Sequence, residues 1–97
     1  MSLGPEARAR LHARYLAGLS ERLDVMVTLR ARLDAADPQA SEEARSLGHQ
    51  FAGTGASFGL PELSERGQDL EQCDDDQRAQ ALDRLIAAVR AAVQRQG

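Results

Sequence analysis

The 97-residue chain has one cysteine, one tyrosine, two phenylalanines, no tryptophan and, among its twelve basic residues, no lysine. Each shortage excludes something. Cys73 alone cannot build an internal disulfide framework, so a domain this small must be held by packing. No apolar run approaches the roughly 20 residues that span a bilayer, and no charged stretch followed by an apolar one marks the chain for export. A soluble, cytoplasmic protein without a membrane partner is expected. The aromatics are only Tyr15, Phe51 and Phe58, the formal net charge is -3 and the arginines are scattered. A nucleic-acid reader concentrates positive charge on one face and often interleaves stacking aromatics, so no nucleic-acid partner is expected.

What is present is Ala, Leu and Arg in quantity, with almost no β-branched runs, which favours helices. Residues 1–97 are read as one domain, with residues 1–4 as a flexible or expression-derived leader. A first helix is predicted from about Pro5 to Ala17, with Pro5 in its first turn and Gly18 as a left-handed cap. Ser20 then caps a second helix, in which Leu19, Leu23, Met26, Val27 and Leu33 form an apolar stripe interrupted by Arg30. Asp37-Pro38 ends that helix and starts a third, which runs through His49 to about Phe58. Gly59 suits a positive φ, and Leu60-Pro61-Glu62 reads as a new start. The fourth helix carries Leu60, Leu63, Gly67 and Leu70 on one face. Asp74 and Gln77 resemble a capping box for the fifth, which shows Leu82, Leu85, Ile86, Val89 and Val93. Short connections imply antiparallel neighbours. The expected fold is all-α: an antiparallel up-down-up-down four-helix bundle, with an additional N-terminal helix packed across one end.

The chemistry concentrates in residues 47–60. Leu47, Phe51 and Phe58 recur at helical spacing beside the small Gly48 and Gly55, and these point inward. His49 lies about 200° of helical rotation from Phe51 and so faces solvent. Its outer-face neighbours are Arg45 and Ser46 one turn before, Gln50 beside it, and Ala52, Gly53 and Ala56 after it. Glycine inside a helix costs about 0.5–1 kcal/mol relative to alanine, so Gly53 calls for a reason, and close approach of another molecule supplies one. Gly48, Gly55 and Gly67 lie on the inner side, where small residues let the third and fourth helices approach.

This segment resembles the signature of histidine-containing phosphotransfer (HPt) domains of bacterial phosphorelays. In that signature a helix bears His, a Gly four residues on and another Gly ten residues on, followed by a new helix. His49, Gly53 and Gly59 occupy those positions. The match continues without gaps through Leu60, Leu63, Gly67, Leu70 and Glu71. Most family members place Lys three residues after the histidine; here that position is Ala52, and His49-Gln50-Phe51-Ala52-Gly53-Thr54-Gly55 fits a variant pattern. Arg45 is the nearest candidate to supply positive charge instead. Glu71, twenty-two residues after His49, stands where family members often hold the phosphoacceptor imidazole.

The resemblance implies a monomeric phosphocarrier, not an enzyme. His49 takes a phosphoryl group from the aspartyl phosphate of a response-regulator receiver domain, including one attached to a hybrid sensor kinase, and passes it to another receiver. Histidine ionises near pH 6.5 as a class, so at neutral pH a ring nitrogen is available as a nucleophile with no activating base. The sequence has no phosphate-binding glycine loop and no carboxylate cage. It therefore implies no cofactor of its own and no ATP site, with Mg²⁺ expected from the partner receiver. The competing expectation is an HPt-like docking module that binds a receiver without being phosphorylated. His12 is read as a surface or packing residue, Cys73 as a small hydrophobe, and Asp74 to Asp76 as capping groups; His12, His49 and Cys73 lack the spacing of a metal site.

Overall fold

The structure, a computed structural model, describes residues 4–96, so most of the proposed leader, residues 1–3, lies outside the described residues. Four α-helices follow one another: α1 Pro5–Asp34, α2 Ala40–Thr54, α3 Pro61–Gln72 and α4 Arg78–Gln96. Short 3₁₀ turns at Ala56–Phe58 and Asp75–Gln77 precede α3 and α4. The all-α expectation therefore holds. No helix among the described residues is long and apolar enough to cross a membrane.

The predicted break between a first and a second helix does not occur. Residues 5–34 form one 30-residue helix that passes straight through Gly18 and Ser20, so there is no separate N-terminal helix packed across one end. The reason lies in the apolar stripe. Tyr15, Leu16, Leu19, Leu23, Met26, Leu29 and Leu33 all pack in or against the core, and their spacing keeps phase across Gly18. A glycine penalty of about 1 kcal/mol cannot break a helix whose buried face continues on both sides of it. The stripe also differs in one member: Leu29 is buried where Val27 was expected, and Val27 is exposed. Tyr15 stacks flat on Phe58, with ring centroids 4.2 Å apart, which fastens the first half of α1 to the turn after α2.

Helix α1 ends at a short turn in which Ala36 takes φ 57°, and Asp37 organises the connection to α2. Its carboxylate accepts from Arg32 Nε at 2.8 Å and from the Gln39 backbone N–H at 2.9 Å. Pro38 belongs to this turn, and α2 begins at Ala40. Contacts between α1 and α2 run in opposite senses, from Tyr15 beside Thr54 through Arg22 beside Gln50 to Arg32 beside Glu43. Helix α2 stops at Thr54, short of the predicted Phe58. Gly59 takes the positive φ, 77°, that the sequence required of it, and Pro61 opens α3.

Helix α2 packs on α3, α3 on α4, and α4 on α1. The core between them holds Leu19, Met26, Phe51, Leu63, Leu70, Leu82, Leu85 and Val89, each essentially without exposure. The closest approach is between α2 and α3. A Cβ placed on Gly48 would lie 2.6 Å from the Gly67 carbonyl oxygen, and one on Gly67 would lie 2.7 Å from the Gly48 carbonyl oxygen. Only glycine fits at either position. The predicted capping box fails: Asp74 makes no side-chain capping bond, because a 3₁₀ turn intervenes before α4. Asp75 takes the structural role instead, accepting from Ser41 Oγ and from Arg78 Nη2, both at 3.0 Å.

Candidate functional site

Ala40, Ala44, Gly48 and Phe51 recur at helical spacing and turn one face of α2 into the core. The opposite face is left to His49, whose side chain is 76% exposed. Arg45, Ser46, Gln50, Gly53 and Ala56 are exposed along the same side, and Ala52 is half-buried. Ala56 belongs to the 3₁₀ turn rather than to the helix. A Cβ on Gly53 would meet nothing within 4 Å, so the fold itself does not require glycine there. That separates Gly53 from Gly48 and Gly67, which the packing demands.

The Gly48–Gly67 contact sets the geometry next to it. Glu71 lies one helical turn beyond Gly67 and His49 one residue beyond Gly48, so the two side chains meet where the backbones are closest. Glu71 Oε2 stands 2.6 Å from His49 Nδ1. An ionised carboxylate can only accept a hydrogen bond, so Nδ1–H is the donor, and in the neutral ring Nε2 keeps its lone pair. Glu71 is itself three-quarters sheltered, with 27% of its side chain exposed. The arrangement is an outward-facing imidazole whose Nδ1 is engaged by a carboxylate and whose Nε2 side is open to solvent.

Two surfaces flank the imidazole. Toward α3 lies a shallow depression lined by Arg45, Glu71, Gln72, Cys73 and Arg78. Arg45 is the expected cation on this side; its side chain is 57% exposed and its Nη1 lies 3.7 Å from the Glu42 carboxylate. Toward α1 lies a groove of about 650 Å³ whose walls include Arg22, Val25, Thr28, Leu29, Ser46, Leu47 and Gln50. Val25 is 61% exposed. Arg22 donates to Gln50 Oε1 at 3.2 Å, and its guanidinium carbon lies 5.2 Å from the centroid of the Phe51 ring.

Arg22 and Val25 are absent from the sequence-derived site. Nothing in their local pattern marks them, because which face of α1 meets α2 is decided by tertiary packing. Cys73 packs against the core as expected, its thiol within 3.5 Å of the Leu70 carbonyl oxygen. His12 lines a separate depression with Pro5, Leu11 and Phe58 and is not brought to His49. Among the described residues, no group of three or more His, Cys, Asp or Glu side chains is placed to hold a metal ion.

Fold and site together define an all-helical module that presents one oriented imidazole on a helix face. The family model of the Hpt domain matches residues 10–96, and the chain belongs to that family. It is thus a phosphotransfer module of two-component signalling, a phosphocarrier type of domain that interacts with receiver-type partners. Comparison with curated proteins and with solved structures finds no match.

Proposed function

We propose that His49 is the phosphoacceptor, taking a phosphoryl group from the aspartyl phosphate of one receiver domain and delivering it to a second. The observation that carries this is the 2.6 Å contact between His49 Nδ1 and Glu71 Oε2 on an otherwise exposed ring. In the forward step Nε2 attacks phosphorus, the Nε2–P bond forms, and the P–O bond to the aspartyl carboxyl breaks with the electron pair leaving on the carboxylate. No proton has to move. The ring gains positive charge while Nδ1–H stays on Glu71, so the carboxylate stabilises charge as it develops. Return of the phosphoryl group to a second carboxylate reverses these bonds.

Phosphoryl transfer depends mainly on positioning and on charge neutralisation, typically with Mg²⁺ at the phosphate. We assign that ion to the receiver, as the family resemblance implies. Arg45 adds positive charge from the α3 side, and Ser46, Gln50, Ala52, Gly53 and Ala56 form the low surface over which the partner approaches. The contacts between successive helices support an up-down-up-down bundle. That it acts as a monomer in the cytoplasm, with a hybrid sensor kinase among the partners that carry a receiver, is part of the same proposal and rests on the family resemblance.

The test is transfer of label from a phosphorylated receiver. The protein should gain label, and His49→Gln should abolish the gain. A labelled receiver that binds the chain but passes nothing to it would make the domain a docking module instead.

A further inference from the structure

Among the described residues, Arg78 is the only buried charged side chain, 5% exposed at the start of α4. Its guanidinium is nearly saturated. Nη1 donates to the carbonyl oxygens of Leu70 and Glu71 and lies 3.6 Å from Cys73 Sγ. Nη2 donates to Asp75 at 3.0 Å, and Nε donates to Ser41 Oγ at 3.3 Å. Ser41 Oγ in turn donates to Asp75.

The Leu70 and Glu71 carbonyls belong to the last turn of α3, where helix geometry leaves oxygens without an intrahelical partner. A cation at a helix C-terminus satisfies them and opposes the helix dipole. Capping alone would not require burial or a third helix. Here the same guanidinium reaches Ser41 in the first turn of α2, the helix that carries His49. One side chain from α4 therefore joins the end of α3 that bears Glu71 to the start of the helix that bears its partner.

We propose that Arg78 is a positioning residue for the phosphoacceptor. By clamping the Glu71 backbone and the first turn of α2, it keeps the Glu71 carboxylate on His49 Nδ1 and thereby keeps Nε2 the unprotonated, reactive nitrogen. The inference rests on the roles assigned above to His49 and Glu71. Arg78 touches neither the imidazole nor the phosphoryl group, so its effect must show in the state of the ring.

The test uses the full chain, ¹⁵N-labelled, and reads two quantities for wild type, Glu71→Ala, Arg78→Gln and Arg78→Lys. One is the population of the His49 tautomers from the ring nitrogen resonances. The other is the rate of His49 phosphorylation by phosphoramidate, a small donor that needs no docked partner. In that reaction the Nε2–P bond forms as the donor P–N bond breaks and ammonia departs. Wild type should hold the proton on Nδ1, and Glu71→Ala should lose that preference. Arg78→Gln should reproduce the loss and slow phosphorylation about tenfold, the low end of the effect of removing a group that orients a metal-bound histidine. Arg78→Lys, which keeps the charge but not the fork, should fall between the two and remains informative if Arg78→Gln does not fold. Wild-type tautomer and rate in a folded Arg78 variant, with both altered in Glu71→Ala, would overturn the role of Arg78 alone. Wild-type behaviour of Glu71→Ala would overturn the reading of Glu71 and this inference with it.

Discussion

Gly48 of α2 and Gly67 of α3 face each other so closely that a Cβ on either would lie within 2.7 Å of the other's carbonyl oxygen. The contact fixes the separation at which Glu71, one turn on, reaches His49. Gly48→Ala should therefore push α2 and α3 apart. The expected cost is that of overpacking, about 1–3 kcal/mol, visible as a lower midpoint in urea unfolding. The Nδ1–H bond to Glu71 should weaken in parallel. A variant as stable as wild type, with the His49 ring unchanged by NMR, would show that the glycine contact does not set the site.

Gly18 is the counterpart case. It sits inside α1 with nothing within 4 Å of an added Cβ. Gly18→Ala should stabilise the protein by about 0.4–1 kcal/mol through reduced freedom of the unfolded chain, measured by the same denaturant titration. Destabilisation would mean that α1 bends or opens at this point in solution.

The sequence pattern resolves short-range features well and long-range ones poorly. Phe51 inward and His49 outward come from one helical period, and Gly59 from the need for a left-handed residue before Leu60-Pro61. The end of the predicted first helix failed at Gly18, because a glycine reads as a cap locally while the apolar stripe on both sides keeps its phase. Arg78 was invisible for another reason. Only its bond to Asp75 has a local spacing; its other partners are backbone carbonyls of α3 and a serine 37 positions away, and no local pattern encodes them. Arg22 was missed likewise, since its neighbour Gln50 lies 28 positions further along.

Two carboxylates should make the protein acid-sensitive. Hydrogen bonds from Arg32 and the Gln39 backbone hold Asp37 below the usual carboxylate range, and Arg78 with Ser41 does the same for Asp75. A carboxyl with a depressed pKa in the folded state contributes stability above its unfolded value of about 3.9, and loses it as pH falls through the folded value. The unfolded chain binds protons first, so acid favours unfolding. Thermal melts from neutral pH down to about pH 3 should show a falling midpoint, and Asp75→Asn should lower the midpoint at neutral pH and flatten the decline. Parallel curves for the two proteins would remove Asp75 from this account.

Gly53 is where the fold leaves room that it does not use. Gly53→Leu should keep the bundle folded and stabilise α2 by up to about 1 kcal/mol, since the position is helical and open. The added side chain should obstruct the approach to His49 and reduce transfer from a phosphorylated receiver. Phosphorylation by phosphoramidate, which needs little space, should change far less. Equal loss with both donors would point to a disturbed imidazole rather than to a blocked partner.

Ala52 poses the question of how the phosphoryl charge is neutralised without a lysine. The residue is half-buried, and its backbone nitrogen lies 2.7 Å from the position of a Cβ on Gly67 of α3. Exposed ion pairs contribute only about 0.2–1 kcal/mol, and a receiver brings its own cations to the transition state. Ala52→Lys should therefore alter the transfer rate by less than tenfold, equivalent to about 1.4 kcal/mol. Arg45→Ala should slow transfer modestly, and the deficit should shrink as salt rises, because screening acts over about 10 Å at 0.1 M ionic strength. Measuring both variants against one phosphorylated receiver at low and high salt separates the possibilities. If only Ala52→Lys accepts label, the native chain is a docking module; if Arg45→Ala is indifferent to salt, the positive charge comes from elsewhere, and Arg22 on the opposite flank is the next to replace.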